Sequence, residues 1–77
     1  MVFYFDHRDG DQFLRDEEGI EFASVEAARA EATVALGGIA RDALPGSERR
    51  ELAIEVSDAN RKPLFRTVLC FEVQPFG

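Results

Sequence analysis

The sequence holds one cysteine, one histidine, one methionine and no tryptophan among its 77 residues. A single cysteine, Cys70, excludes an internal disulfide and every zinc site built from several thiolates. It reads as a small apolar strand residue. A single histidine, His7, leaves general-base chemistry without its usual companions. Its chain neighbour Asp6 points to the opposite face of a strand, and Ser24, Ser47 and Ser57 form no recognisable triad with it. No apolar run approaches the ~18 residues of a membrane span. The opening Met1-Val2-Phe3-Tyr4-Phe5-Asp6 has neither the basic region nor the long apolar region of a secretion signal. The expectation is a cytoplasmic chain with no membrane partner. A phosphate-binding glycine loop is also missing, since Gly37-Gly38 falls inside a helical pattern and Asp9-Gly10-Asp11 is acidic where a phosphate would lie. No cofactor, no metal and no catalytic residue is assigned, and the chain reads as a non-enzyme.

Cations are scarce as well. Nine Lys and Arg face fifteen Asp and Glu, and the net charge of −6 repels phosphate backbones, so nucleic acid is not an expected partner. Arg49, Arg50, Arg61, Lys62 and Arg66 place five of the nine cations in the last third, where they read as residues of solvated turns. The densest polar segment runs from Asp6 through Asp9, Asp11 and Asp16 to Glu18. A hard cation needs several carboxylate oxygens on one compact loop, but Arg8 stands where a calcium loop requires an oxygen ligand. These acids too read as solvated turn residues.

What is present is the pattern of a small globular domain, 45% apolar and 31% charged. An aromatic and β-branched run predicts a strand over residues 2–7, closed by Asp9-Gly10 turn chemistry. A second strand is predicted over 12–22, interrupted by a bulge or kink at Asp16-Glu17-Glu18-Gly19. Ser24 suits a helix N-cap. From it Val25, Ala28, Ala32, Ala35, Leu36, Ile39 and Ala43 recur at spacings of three and four, predicting a helix over 25–44 that ends at Pro45-Gly46. Gly37-Gly38 inside it is read as room for another backbone to approach. Strands over 51–57 and 63–73 follow, joined as a hairpin by Asp58-Ala59-Asn60-Arg61. The fold class is α+β: one domain of β-β-α-β-β order, an antiparallel four-stranded sheet with one helix on one face.

One helix covers one face of such a sheet, yet the first and last strands carry apolar residues on both faces. Either these strands sit centrally and are covered by flanking side chains, or the second face is an interface. Val2, Tyr4, Leu64, Val68 and Cys70 are the candidate interface residues.

The runs Tyr4-Phe5-Asp6-His7-Arg8-Asp9-Gly10, Asp16-Glu17-Glu18-Gly19-Ile20-Glu21 and Glu26-Ala27-Ala28-Arg29-Ala30-Glu31-Ala32, with the later Ile54-Glu55-Val56-Ser57-Asp58, resemble a domain-of-unknown-function family of short alphaproteobacterial, rhizobial-type proteins. That resemblance implies no activity and no catalytic residues. The order of the first half is similar, at the level of fold, to HicB-type antitoxins, although their proline-aspartate-glycine-cysteine stretch and any DNA-binding segment are missing. The expected function is a non-enzymatic protein–protein interaction module, homodimeric through the sheet or bound to an unidentified protein. The alternatives are a metal or small-ligand binding protein using the segment from Asp6 to Glu18, and an antitoxin-like regulator of a basic partner.

Overall fold

The computed structural model describes residues Met1–Gly77. Its elements are β1 (Val2–Asp9), β2 (Gln12–Leu14), β3 (Ile20–Glu21), α1 (Val25–Ala43), β4 (Arg49–Ser57) and β5 (Pro63–Glu72). Every pairing is antiparallel. The sheet runs β2-β1-β4-β5 in space, with β3 also on β1 beyond the end of β2. The α+β class therefore holds, with one helix on an antiparallel sheet, but the strands number five where the sequence predicts four.

The extra strand has an identifiable cause. On β1, four positions separate Phe3 from His7, whereas six separate their partners Ile20 and Leu14, so two residues are looped out. The carboxylate of Asp16 fills the gap. Its Oδ2 accepts from the Phe5 N–H at 3.0 Å, taking the place of a strand carbonyl, and its Oδ1 accepts from the N–H groups of Glu18 and Gly19, at 3.1 Å each. Side-chain oxygens thus compete with the ladder and split the predicted strand into β2 and β3. Gly19 closes the loop at φ +78°, where a Cβ would lie 2.8 Å from Val2 Cγ1.

Between β1 and β2 the two-residue loop Gly10-Asp11 has φ +58° at its first position, as a type II′ hairpin turn requires. Helix α1 starts where Ser24 accepts from the Ala27 N–H at 3.1 Å. It buries Ala28, Ala32, Leu36 and Ala40 at successive four-residue steps. Three of these four are alanine, so the helix axis lies close to the sheet. Ala40 is missing from the predicted stripe, and Val25 within it is exposed at the first turn. Gly37 and Gly38 need correction too. A Cβ on either would meet nothing within 4 Å, so no backbone approaches there.

The core joins those helical residues to Phe3 and Phe5 of β1 and to Leu52, Ile54 and Val56 of β4, with Phe22, Phe65 and Leu69 at its margin. Phe22 packs its ring 5.7 Å from Phe5 and 6.3 Å from Phe3, sealing one end. The core is thin, with 11 of 77 residues buried. The molecule is a slab of 51 × 21 × 18 Å with a radius of gyration of 13.9 Å, against about 11.5 Å for a compact domain of this length. A large share of the sheet therefore meets solvent.

Candidate functional site: the helix-free face of the sheet

Strand alternation sorts the side chains. Phe3, Phe5, His7 and Asp9 of β1 face the helix, as do Leu52, Ile54 and Val56 of β4 and Phe65, Leu69 and Phe71 of β5. The other face has no helix. There the register builds cross-strand rows: Tyr4–Ser57–Pro63, then Asp6–Glu55–Arg66, then Phe13–Arg8–Ala53–Val68, then Glu51–Cys70 and finally Arg49–Glu72. Val2, Tyr4, Leu64, Val68 and Cys70 all fall on this face by alternation. They do not form one patch. Val2 and Tyr4 belong to central β1, whereas Leu64, Val68 and Cys70 belong to edge strand β5, and β4 with its charged Glu55 runs between.

Asp6 and Glu55 stand directly opposite one another, a like-charge pair that destabilises a sheet unless countered. Three arginines counter it. Arg8 Nε donates to Glu55 Oε2 at 2.9 Å, Arg66 Nη1 lies 3.7 Å from the same oxygen, and Arg61 Nη1 donates to Asp6 Oδ1 at 3.4 Å. Arg8 also lies over the Phe13 ring, 4.5 Å from its centre.

Arg61 does most to shape this face. Its guanidinium lies 3.6 Å from the Tyr4 ring centre and donates from Nη2 to the Asp16 carbonyl, so it ties β1, the 15–19 loop and the β4–β5 turn together. Its backbone is left-handed, φ 65°, a conformation that strains a residue with a Cβ and persists only where surrounding contacts enforce it. Asp58 supplies part of that enforcement, with Oδ1 accepting from the N–H groups of Asn60 and Lys62, at 2.9 Å each. Burial pushes the Asp16 carboxyl up, but the amides of Phe5, Gly19 and Glu18 and the charge of Arg61 outweigh it. The group is held below its ordinary value.

A second tie closes the helix side. Arg50 Nε donates to Asp9 Oδ1 at 2.7 Å and Nη2 donates to Oδ2, while Nη1 donates at 3.0 Å to both the Ala43 carbonyl and Ser47 Oγ. The hydrogen bond from Arg50 holds Asp9 below the usual carboxylate range, and Asp9 in turn raises Arg50. The cation also sits at the negative end of the α1 dipole. Asp6, Asp9, Asp16, Arg50 and Arg61 are thus half-buried ties, where the sequence reading made them solvated turn residues. The opposite charges of the first and last thirds meet inside one chain.

At the Ser57 end the helix-free face is concave. A groove of about 610 Å³ lies among Asp6, Phe13, Glu55, Leu64 and three arginines, Arg15, Arg61 and Arg66. Ser57 lines it next to a ladder irregularity at Val56/Ser57, and its buried Oγ has no hydrogen-bond partner. Phe13, Leu64 and Val68 remain 47%, 39% and 48% exposed. His7 lies on the opposite side of the sheet, half-buried beside Leu14, Leu36 and Ile39. No three His, Cys, Asp or Glu side chains converge to hold a metal ion. No helix is long and apolar enough to cross a membrane.

No curated protein and no solved structure matches this chain. A family model does, over residues 2–70, and its span includes all five strands up to Cys70, the helix, and every residue of the Arg61 and Arg50 ties. The chain belongs to the family described as Domain of unknown function (DUF6894).

Proposed function

We propose that this protein is a non-enzymatic protein–protein interaction module that works as a homodimer joined through its sheet. The helix-free face is the surface it offers. The observation that carries this reading is the mismatch between sheet and cover: one helix lies on one side of a five-stranded sheet, and the other side holds exposed Phe13, Leu64 and Val68 between ion pairs that cancel one another. A face of this kind is neither a core nor an ordinary charged surface. The thin core adds weight, because a chain of this size gains stability by burying further surface against another copy. The charged groups at the Tyr4–Asp6 end of the face are spent on fixing its shape. Arg61, Asp6 and Asp16 hold one another, so these charges serve the shape of the face.

Size-exclusion chromatography with light scattering tests this. The expected particle has twice the 8.6 kDa chain mass at micromolar concentration. A monomer persisting at high micromolar concentration would refute the homodimer.

A further inference from the structure

The two edges of the sheet differ. On one side the edge is broken, with three residues in β2, two in β3 and the 15–19 loop between them. On the other side β5 is ten residues long and pairs only with β4. Natural proteins blunt such an edge with lysine, proline or a bulge. Pro63 and the Val56/Ser57 irregularity guard only the start of β5, and from Leu64 to Glu72 the strand carries no lysine, no proline and no register shift.

The hydrogen-bonding direction of this edge follows from one contact. The Val73 N–H donates to the Glu48 carbonyl at 2.8 Å, and the same register runs unshifted to Phe65 opposite Val56. Amide direction alternates along a strand, so the N–H groups of Thr67, Leu69 and Phe71 turn to β4. Those of Arg66, Val68, Cys70 and Glu72 turn outward, with their carbonyls.

Resting on the homodimer reading above, the geometry points to a specific occupant of this edge: β5 of a second copy, paired antiparallel about a two-fold axis through Leu69. Length favours that occupant, because no other strand of the molecule offers a free edge as long as β5. Charge complementarity fixes the register. Arg66 and Glu72 stand three positions either side of Leu69, so pairing centred there sets each Arg66 opposite the partner's Glu72, twice over. The same register sets Val68 opposite the partner's Cys70 on the helix-free face and Leu69 opposite its own copy on the helix face. The outward N–H and carbonyl groups of Arg66, Val68, Cys70 and Glu72 find mutual partners. An antiparallel pair requires the axis perpendicular to the sheet, so both helices lie on one side and the two helix-free faces merge into one.

Two variants test this. Proline at an outward-facing position removes an edge donor and no bond to β4. Val68→Pro is therefore expected to run at the monomer mass with the far-ultraviolet circular dichroism of the native fold. Leu69→Cys combined with Cys70→Ser places two thiols at a directly opposed pair, with Cα atoms about 4.5 Å apart, within disulfide range. It is expected to oxidise to a covalent dimer, whereas Val68→Cys combined with Cys70→Ser is not. If Val68→Pro fails to fold, the cysteine pair decides alone. A dimeric wild type with no Leu69→Cys cross-link overturns the edge pairing and leaves the homodimer standing, joined elsewhere. A monomeric wild type overturns both.

Discussion

Replacing Asp16 by alanine removes the oxygens that bridge the gap between β2 and β3. Three backbone N–H groups lose their acceptor: those of Phe5 and Gly19, which are partly buried, and that of Glu18, which water can reach. Each partly buried donor left without a partner costs about 1–1.5 kcal/mol, the lower part of the range for buried groups, and the Glu18 amide adds little. Asp16→Ala is therefore expected to lose about 2–3 kcal/mol. For a domain of this size the urea dependence is about 1 kcal/mol per molar, so the unfolding midpoint falls by about 2–3 M at fixed protein concentration. Asp16→Asn loses the charge and one of the two acceptor oxygens and sets its NH2 against a backbone N–H, at a cost of about 1–2 kcal/mol. Urea titrations followed by circular dichroism read both. An alanine variant within about 0.5 kcal/mol of wild type would show that the ladder closes without Asp16 and would refute the explanation for the split strand.

Two glycine substitutions should move stability in opposite directions. Gly19→Ala meets both a left-handed backbone and a Cβ 2.8 Å from Val2, and should cost about 2 kcal/mol, whereas Gly37→Ala enters open space in a helix and should gain about 0.5–1 kcal/mol. Thermal melts of the pair check this. Acid should unfold the protein through Asp9 and Asp16, whose carboxyls bind protons more weakly when folded than when unfolded, where the value is 3.8. Their contribution is complete above about pH 5 and is lost as pH falls below about 4, so a urea midpoint flat from about pH 5 to 8 and dropping below it is expected. Asp16→Asn should show a shallower drop.

The legible parts of this fold were those written in short-range pattern. Helix α1 follows from the Ser24 cap and the alanine stripe, and the β4–β5 hairpin follows from alternation around Asp58-Ala59-Asn60-Arg61. Asp9-Gly10 marked its turn. The side-chain ties were not legible, because Asp16 meets Phe5 eleven residues away and Arg61 meets Asp6 across fifty-five, and a single sequence carries no signal for such distances. The excess of acids early and of arginines late was the one available hint, and the ties show that it reports contact within the chain. Alternation placed Val2, Tyr4, Leu64, Val68 and Cys70 on one face, but strand order decides their separation, and order is set by long-range pairing. That β5 would lie at an edge and β1 in the interior could not be read from two equally apolar strands.

Amide hydrogen exchange along β5 tests the central claim most directly, because Leu69 and Val68 report on opposite sides of one strand. Leu69 turns its N–H to β4 and serves as the internal reference for folding. If two copies join through this edge, the Val68 and Cys70 amides exchange slowly in concentrated solution and speed up on dilution while Leu69 stays protected. If Val68 exchanges rapidly at every concentration while Leu69 stays protected, the edge is open and the pairing proposed for it does not form.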